Sequence, residues 1–359
     1  MALATKIILY LTLIAFFFGQ LIRPTIFGVT LPLFDIFIVL LAIANFFNQN
    51  TKENNHYILI FIFIAIISWL INPLKLSNSL TSIFYLLRII SLLSFFVYPL
   101  NIDKNSEKFF HIILFTFTFF GLLQYFFYPD LTTFSSLNWD PHLYRLVGTL
   151  LDPTFTALIL LLFLIKLYFS SANYLYLIFV YISLALTYSR SSLLAFFVVF
   201  SYISIKTKKI TLFLSTTLLI ILTVILLPRM PGEGTKLERT SSIKAKIVNY
   251  QQGVNLWQQS PLIGLGYNRL PSLQSNSQSH SKSGFDGSLL TIAVCTGLVG
   301  LVFFILSFTN SLKNSSLYWQ SLLLTVFVHS LFANSLLYPW ILFYLALEFK
   351  YQKLSPPVS

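Results

Sequence analysis

Cationic side chains between apolar segments are the residues best placed to do chemistry in this chain. Arg190 stands in TYSRSS (187–192), which joins two apolar runs, and Lys246 lies in the long polar segment that follows. A guanidinium group is planar and always charged, so it binds phosphate or carboxylate oxygens through paired hydrogen bonds. These positions predict a site for an anionic group. The candidate cations are Arg88, Arg145, Arg190, Arg239 and Lys246.

Two alternatives to anion binding stay open for the arginines. An arginine in a polar segment can pair with a carboxylate at the surface, and the chain offers Asp130, Asp140, Glu233 and Glu238. Arg88 lies inside an apolar run, where a cation needs a partner or water. Asp35 is the nearest candidate partner, so Arg88 either forms an ion pair with Asp35 or contributes to an anion site.

Asp286 is the carboxylate best placed to act as a base. It directly precedes an apolar run that is predicted to be a helix. A carboxylate at a helix start can accept a proton from an attacking hydroxyl group. Capping of the helix, which contributes ~1 kcal/mol, is a strong alternative. Both roles stay open from the sequence.

The composition places these residues in a membrane protein. The chain has 359 residues, of which 56% are hydrophobic, 17% aromatic and 9% charged, against roughly a quarter charged in an average soluble domain. The net charge of +12 indicates loop topology and contact with anionic headgroups or substrates, and nucleic-acid binding is not expected. The single Cys295 excludes an intrachain disulfide.

We predict an all-α polytopic membrane protein with about twelve transmembrane helices and one large outer loop that contains short amphipathic helices. Crossing ~30 Å of hydrocarbon takes about 17 to 25 apolar residues. The predicted spans are 4–19, 31–47, 56–72, 81–98, 109–128, 153–169, 174–188, 191–206, 210–227, 287–308, 317–333 and 335–349. The predicted regions are N-terminal helices (1–128), an outer loop (129–152), further helices (153–227), a large outer loop (228–286), C-terminal helices (287–349) and a tail (350–359).

The distribution of positive charge predicts the orientation. With a cytoplasmic N-terminus, the inside segments carry lysines and both long loops lie outside, which satisfies the positive-inside rule. The inside cations include no arginine. The outside arginines are Arg23, Arg145, Arg190, Arg229, Arg239 and Arg269. Both termini are therefore predicted to be cytoplasmic, and the chemistry is predicted to occur at the outer face.

The large outer loop is predicted to contain an amphipathic helix. Apolar residues recur in steps of four and three from Ile243 to Trp257, which is a helical period. Lys246 and Asn249 lie off this stripe, so the helix is expected on the outer membrane surface or over the mouth of a cavity. The PLIGLG segment (261–266) indicates a tight turn rather than a phosphate cradle.

Taken in order, these motifs resemble the O-antigen ligase and polymerase superfamily. The resemblance rests on TYSRSS, on the loop with K-x-x-x-Y and PLIGLG, and on D-G-x9-G-L-V-G (286–300), and it covers about residues 173–308. It implies a glycosyltransferase that uses an undecaprenyl-diphosphate-linked glycan on the outer face of the bacterial inner membrane. Polymerases of this type pass the growing chain to the next lipid-linked repeat unit, and ligases pass it to lipid A core.

The resemblance also implies roles for individual residues. Arg190 matches the arginine at the outer end of a span, and Lys246 with Tyr250 stands where the family has R-x-x-x-W. Lysine keeps the positive charge of the arginine but lacks its bidentate fork.

One departure from the family pattern separates the two activities. Ligases show H-[NSQ]-x9-G-x-x-[GTY], whereas this chain has Asp286 and Gly287 at the first two positions and keeps the glycines at 297 and 300. The departure favours a polymerase. His280, six residues earlier, is a candidate substitute for the histidine and keeps a ligase open.

We therefore predict a glycosyl transfer that needs no metal and no cofactor. The leaving diphosphate requires charge stabilisation and the acceptor hydroxyl requires activation, and the outer loops show no carboxylate cluster with metal-ligand spacing. The predicted catalytic residues are Asp286, Arg190 and His280; the predicted diphosphate-binding residues are Arg190, Arg145, Lys246, Arg88 and Arg239; the predicted substrate-positioning residues are Tyr250, Gly266 and Tyr267.

The predicted function is polymerisation of lipid-linked repeat units, with an O-antigen ligase as the alternative. A polytopic transporter or flippase is a second alternative, although the two halves of the chain show no similarity of the kind typical of transporters. The expected partners are the lipid-linked glycan donor and acceptor, the lipid bilayer and, as a candidate, a chain-length regulator protein.

Overall fold

The computed structural model describes residues 3–48, 53, 55–72, 76–137, 139–270 and 284–353, with the backbone alone at 76–79 and 136–137. This part of the chain is mostly helical, with connecting loops, one isolated bridge and one hairpin of β1 (Thr25–Ile26) and β2 (Val29–Thr30). The helices are α1 (Leu3–Phe18), α2 (Leu33–Phe47), α3 (His56–Ile71), α4 (Leu76–Ser94), α5 (Lys104–Phe127), α6 (Pro153–Phe169), α7 (Tyr174–Ala185), α8 (Arg190–Thr207), α9 (Ile210–Leu226), α10 (Ser241–Trp257), α11 (Ser288–Leu312), α12 (Leu317–Ser330) and α13 (Pro339–Glu348).

The helices have the apolar composition of a membrane protein. Within the described residues, α5, α8 and α11 are long and apolar enough to cross a membrane. Shorter apolar helices occupy most of the other predicted spans. The structure agrees with the predicted all-α membrane class, and the crossing of the bilayer by twelve helices stays a prediction.

Burial divides the helices into a central and a peripheral set. Every residue of α13 is buried, and α6 is buried continuously from Thr156 to Leu167. In contrast, the buried residues of α9 are Thr216 and Thr223, and most of its leucine and isoleucine side chains are exposed. An apolar helix with its large side chains exposed needs lipid as its solvent. We therefore place α9 at the lipid-facing edge.

Ion pairs and loops define two opposite ends of the helix bundle. At one end, Lys6 Nζ lies 2.6 Å from Asp103 Oδ2 and Lys350 Nζ lies 2.8 Å from Glu107 Oε2, so both ends of the described chain meet there. At the other end of α1, the amide of Gln20 donates to the carbonyl of Thr149 at 2.9 Å, within the 129–152 loop. We call this second end the outer end.

A break in α11 joins the helix to the PLIGLG segment. Gly297 has φ +69° in the middle of α11. Beside the break, the Leu298 amide donates to the Pro261 carbonyl at 2.8 Å, and the Leu265 amide donates to the Val294 carbonyl at 2.8 Å. Backbone groups freed by a helix break must find such partners where water is excluded.

The glycines of PLIGLG make this contact possible. Gly264 has φ +79°, and a Cβ there would lie 2.5 Å from the carbonyl carbon of Cys295. PLIGLG therefore forms a tight turn, as predicted, and its role is to approach α11 closely. The turn fixes Tyr267, which follows it, at the outer end of the bundle.

Candidate active site

A cavity of about 800 Å³ lies at the outer end between α4, α6, α10, the first half of α11 and the 331–338 loop. Its charged lining residues are Arg88, Asp140, Asp152, Lys246 and Asp286. Its aromatic lining residues are Tyr85, Phe155, Tyr267, Phe285, Phe332, Tyr338 and Trp340. Apolar faces with a few convergent polar groups are typical of a small-molecule site.

The helix α10 covers the cavity with its polar face. Asn249 and Gly253 are its buried residues, whereas Ile243 and Ile247 on the apolar stripe are 48% and 54% exposed. A Cβ at Gly253 would lie 2.5 Å from Leu290 Cδ2, so this glycine lets α10 pack tightly on α11. The predicted amphipathic helix is confirmed, and its position over a cavity mouth was one of the two expected.

Lys246 and Asp286 meet at the edge of this cavity. Lys246 Nζ lies 3.0 Å from Asp286 Oδ1 and donates to the Phe332 carbonyl at 2.5 Å. The backbone amide of Asp286 donates to Asn249 Oδ1 at 2.8 Å. Among the described residues the Asp286 carboxylate caps no helix, because α11 begins at Ser288 after Gly287 and has no side-chain cap. The carboxylate is instead directed toward α10 and the cavity.

The three predicted substrate-positioning residues have different surroundings. The Tyr250 hydroxyl donates to the Leu331 carbonyl at 2.7 Å, and burial together with the Asp286 charge raises the pKa of Tyr250. Tyr267 lines the cavity, and burial raises the pKa of its hydroxyl. Both phenols are therefore hydrogen-bond donors at neutral pH. Gly266 packs on Arg269, where a Cβ would lie 2.5 Å from Cδ, and it is not among the cavity-lining residues.

Arg88 lies in the cavity wall and forms the ion pair expected as one of its two alternatives. Its Nη1 lies 2.8 Å from Asp35 Oδ2, and its guanidinium carbon lies 4.2 Å from the Tyr85 ring centroid. Asp35 is in the first turn of α2, so the pair lies toward the outer end of the bundle. The charge of Arg88 in the cavity wall is thus balanced by Asp35.

The structure brings Arg190 to the start of α10. Its Nη1 donates to the carbonyls of Arg239 at 2.7 Å and Leu237 at 3.2 Å, and its Nη2 donates to Ser242 Oγ at 2.5 Å. Ser242 is four residues before Lys246 and therefore lies on the same face of α10. Arg190 thereby fixes the helix that carries Lys246.

Arg145 and Arg239 lie beside Arg190 around Gly234. Arg145 Nε donates to the Thr187 carbonyl at 3.0 Å, and its Cδ is 3.0 Å from the position that a Cβ on Gly234 would take. Arg239 Nη1 donates to the Gly234 carbonyl at 2.7 Å. Burial and the charges of Arg239 and Arg190 lower the pKa of Arg145 to about 10. Burial and the Arg190 charge likewise lower the pKa of Arg239.

We call Arg145, Arg190 and Arg239 the arginine cluster. Within the described part of the chain, none of the three forms an ion pair with a carboxylate. Arg190 bonds Ser242 on α10, and Ala245 and Lys246, one turn further along this helix, line the cavity, so the cluster adjoins the cavity. Three mutually repelling cations are stabilised by an anion that binds among them. The surface pairing considered as an alternative is not observed for these arginines.

Sequence reasoning missed one residue at this end of the bundle. Asp152 caps α6 by accepting from the amides of Thr154 at 2.6 Å and Phe155 at 3.2 Å, and it lines the cavity beside the arginine cluster. The Asp-Pro pair at 152–153 is typical of a helix start but carries no information about a cavity. His329, which the sequence favours as a hydrogen-bonded packing residue, is buried as such, with Nε2 3.1 Å from Ser191 Oγ and Nδ1 2.5 Å from Ser335 Oγ.

The predicted site is therefore divided into two adjoining parts. The arginine cluster holds three of the predicted diphosphate-binding residues, whereas Lys246, Tyr250, Tyr267, Asp286 and Arg88 lie in or around the cavity. His280 lies outside the described residues.

The fold and the site define a helical membrane protein with an arginine cluster and a carboxylate-lined cavity at one end. Residues 174–305 match the family model described as O-antigen ligase (Wzy_C). This match confirms the resemblance to the O-antigen ligase and polymerase superfamily, whose members are glycosyltransferase-like enzymes of O-antigen and glycan assembly. The matched segment includes α7 to α10 and most of α11. No curated protein matches the chain.

Proposed function

We propose that this protein is a membrane glycosyltransferase that polymerises undecaprenyl-diphosphate-linked oligosaccharide repeat units. The proposed location is the bacterial inner membrane, with the cavity facing the periplasm and both termini in the cytoplasm. The observation that carries the proposal is the arginine cluster, which has no carboxylate partner among the described residues and adjoins a cavity of about 800 Å³. A lipid diphosphate bearing a sugar matches this arrangement, because its anionic diphosphate lies next to a sugar ring, as the cluster lies next to the cavity.

The proposed reaction assigns a separate task to each part of the site. The arginine cluster holds the diphosphate of the donor, and the cavity holds the sugars that are joined. The acceptor hydroxyl forms a bond to the anomeric carbon while the bond from that carbon to the diphosphate oxygen breaks. The hydroxyl proton passes to the Asp286 carboxylate, and the electron pair of the broken bond remains on the diphosphate, where the arginines stabilise the charge.

The lining of the cavity supports glycan binding. Aromatic rings such as Tyr267, Tyr338 and Trp340 present apolar faces, and Asn249, Gln252 and Asn268 present amide groups. Sugars offer both apolar ring faces and hydroxyl groups to such a lining. The lining also has more carboxylates than cations, because Asp140, Asp152 and Asp286 face Arg88 and Lys246. We infer that sugar rings, rather than the diphosphate, occupy this cavity.

A ligase activity is the second candidate, and the family match supports it equally because the matching model is described as O-antigen ligase. The residues favour a polymerase at one point: Asp286 and Gly287 stand where ligases have histidine followed by an amide or serine. The lysine–carboxylate pair of Lys246 and Asp286 supports a carboxylate base at this position.

A gel of surface glycans from a strain lacking the gene, with and without complementation, tests the proposal. Loss of the ladder with one repeat unit still attached to the acceptor is the expected result for a polymerase. Loss of every attached unit while long lipid-linked chains accumulate would instead establish a ligase. An unchanged ladder would contradict both activities and would favour the alternative function, a transporter.

A test with purified protein complements the genetic one. The protein in detergent or nanodiscs, supplied only with lipid-diphosphate-linked repeat units, is expected to produce longer lipid-linked chains. A requirement for lipid A core as the acceptor would contradict polymerisation.

A further inference from the structure

A long apolar groove separates α7 from α9 on the lipid-facing side of the bundle. It has a volume of about 630 Å³ and is lined by one face of each helix, with the two helices contributing residues at steps of three and four. On α7 these include Ile178, Ile182 and Ala185, and on α9 they include Leu219 and Leu226. The 12 residues of α7 give the groove a length of about 18 Å at 1.5 Å per residue.

The groove results from the way α9 is attached. α9 packs against α8, and its buried residues are two threonines. The Tyr181 hydroxyl bridges the groove, lying 2.6 Å from Thr223 Oγ1 and 3.1 Å from the Leu219 carbonyl. This bridge joins α7 to α9 near the middle of the groove. These hydrogen bonds hold the two walls of the groove at a fixed separation.

The outer end of the groove meets the arginine cluster. Leu186 and Pro228 line this end. The Leu186 carbonyl accepts from the Leu146 amide at 3.0 Å, and the next carbonyl, that of Thr187, accepts from Arg145 Nε at 3.0 Å. The Tyr188 hydroxyl donates to the Pro228 carbonyl at 2.7 Å, also at the outer end of the groove. An apolar chain in the groove thus ends within one residue of an arginine of the cluster.

An apolar slot that ends at unpaired cations fits an amphiphile with a long hydrocarbon chain and an anionic head. We propose that the hydrocarbon chain of the lipid-diphosphate donor binds in the groove between α7 and α9, with its diphosphate at the arginine cluster. The identity of this occupant rests on the proposed function. Charge complementarity at the outer end and the continuity of groove, cluster and cavity select the donor lipid over a neutral lipid.

Filling the groove tests the proposal. Leu219→Trp places an indole in the slot, and Leu218→Trp, one residue away, serves as the matched control because Leu218 is 56% exposed and is not a groove residue. Two donors with the same diphosphate and sugar, one with a full-length isoprenoid chain and one with a short chain, are compared in detergent. We expect Leu219→Trp to raise KM for the long-chain donor at least about tenfold and to leave the short-chain donor and kcat unchanged. Leu218→Trp is expected to behave as wild type with both donors.

An equal loss of activity with both donors, or wild-type KM for the long chain, would overturn the groove as the chain site. If wild-type protein transfers sugar from neither donor, the proposed function fails, and the groove is then judged by binding alone.

Photolabelling of wild-type protein supplies that binding measurement and needs no variant to fold. A long-chain isoprenyl diphosphate with a diazirine near the end of its chain is expected to label peptides of α7 or α9. Excess unlabelled isoprenyl diphosphate is expected to remove the label, and the same excess of an anionic phospholipid is expected to leave it. Labelling elsewhere, or equal competition by the phospholipid, would overturn the assignment of the groove to the donor lipid.

Discussion

Lys246 and Asp286 form an ion pair, with Nζ 3.0 Å from Oδ1, that joins α10 to the segment entering α11. The two residues are 40 positions apart, and the Phe332 carbonyl fixes the same amine from a third segment. About a third of each side chain is exposed, 33% and 36%, so the pair is open to the cavity. In the proposed mechanism, the pair orients the carboxylate toward the acceptor hydroxyl.

Replacing Asp286 with asparagine is expected to lower kcat by about 10²–10⁴-fold, the usual contribution of a general base. The amide keeps the shape of the carboxyl group but cannot accept the hydroxyl proton. Single-turnover transfer with a labelled lipid-linked repeat unit measures the effect. Glu238→Gln removes an exposed carboxylate from the same loop and is the control, for which wild-type rates are expected. Transfer by Asp286→Asn at the wild-type rate would exclude Asp286 as the base.

Replacing Arg145 with leucine is expected to abolish stabilisation by a diphosphate while leaving the free protein at least as stable. Arg145 is a buried cation beside Arg190 and Arg239, and burial with their charges lowers its pKa to about 10. Removing this cation relieves its desolvation cost and its repulsion by the two neighbouring arginines. Thermal unfolding in detergent, with and without inorganic pyrophosphate, measures both effects.

Wild-type protein is expected to melt at a higher temperature with pyrophosphate than with sulfate at equal ionic strength. Arg229→Leu, an exposed arginine of the same loop, is expected to keep this shift. A pyrophosphate shift that survives in Arg145→Leu would place the anion elsewhere.

Local pattern predicted much of the secondary structure and part of the site. The apolar period from Ile243 to Trp257 located α10, because a helix face repeats every 3.6 residues whatever it packs against. The Arg88–Asp35 pair was one of two predicted alternatives, since a cation in an apolar run must find a partner. The helix depends on neighbours in sequence, and the ion pair depends on the high cost of burying an unpaired cation.

Tertiary contacts determined what the sequence could not predict. Asn249 faces the cavity and the apolar stripe faces outward, a choice that the helical period alone leaves open. Arg145 meets the Thr187 carbonyl across 42 positions, and Asp152 reaches the cavity because α6 begins there. Such meetings follow from how helices pack, and no local spacing encodes them.

Removing metal ions is expected to leave transfer unchanged. In the proposed mechanism the arginine cluster performs the task of stabilising the leaving diphosphate, which a bound cation performs in many other transferases. Activity of the purified protein in EDTA, before and after added Mg²⁺ or Mn²⁺, measures the requirement. Loss of activity in EDTA that is restored by one of these ions would contradict the mechanism.

Replacing Gly297 with alanine is expected to disrupt the junction between α11 and PLIGLG. Gly297 has φ +69°, and a Cβ there would collide with the backbone of Leu262 and Ile263. Gly28→Ala is the matched control, because Gly28 has φ +78° with nothing within 4 Å of a Cβ. The control is expected to lose about 1–2 kcal/mol of stability, the cost of holding an alanine in the left-handed conformation. We expect Gly297→Ala to lose more thermal stability than the control. We also expect it to transfer less sugar, because Tyr267 follows the turn. Equal losses of stability in the two variants would contradict the prediction.

A buried ion pair lies at the end of the bundle opposite the cavity and is expected to affect stability alone. Lys166 Nζ lies 2.5 Å from Glu348 Oε1, and both side chains are 2% exposed. Tyr318 donates its hydroxyl to Glu348 Oε2 at 2.8 Å. Removing one partner of a buried pair leaves an uncompensated charge, so Lys166→Met is expected to lower the free energy of unfolding by about 3–5 kcal/mol.

The matched control for this pair is Lys353→Met. Lys353 Nζ lies 3.7 Å from Glu53 Oε1 at the same end of the bundle, and the two side chains are 70% and 45% exposed. The control is expected to melt like wild type, because water screens an exposed pair. Protein of either variant that remains folded in nanodiscs is expected to retain the wild-type KM for the lipid-linked donor. A change in KM for folded Lys166→Met would mean that this buried pair is coupled to the cavity at the outer end.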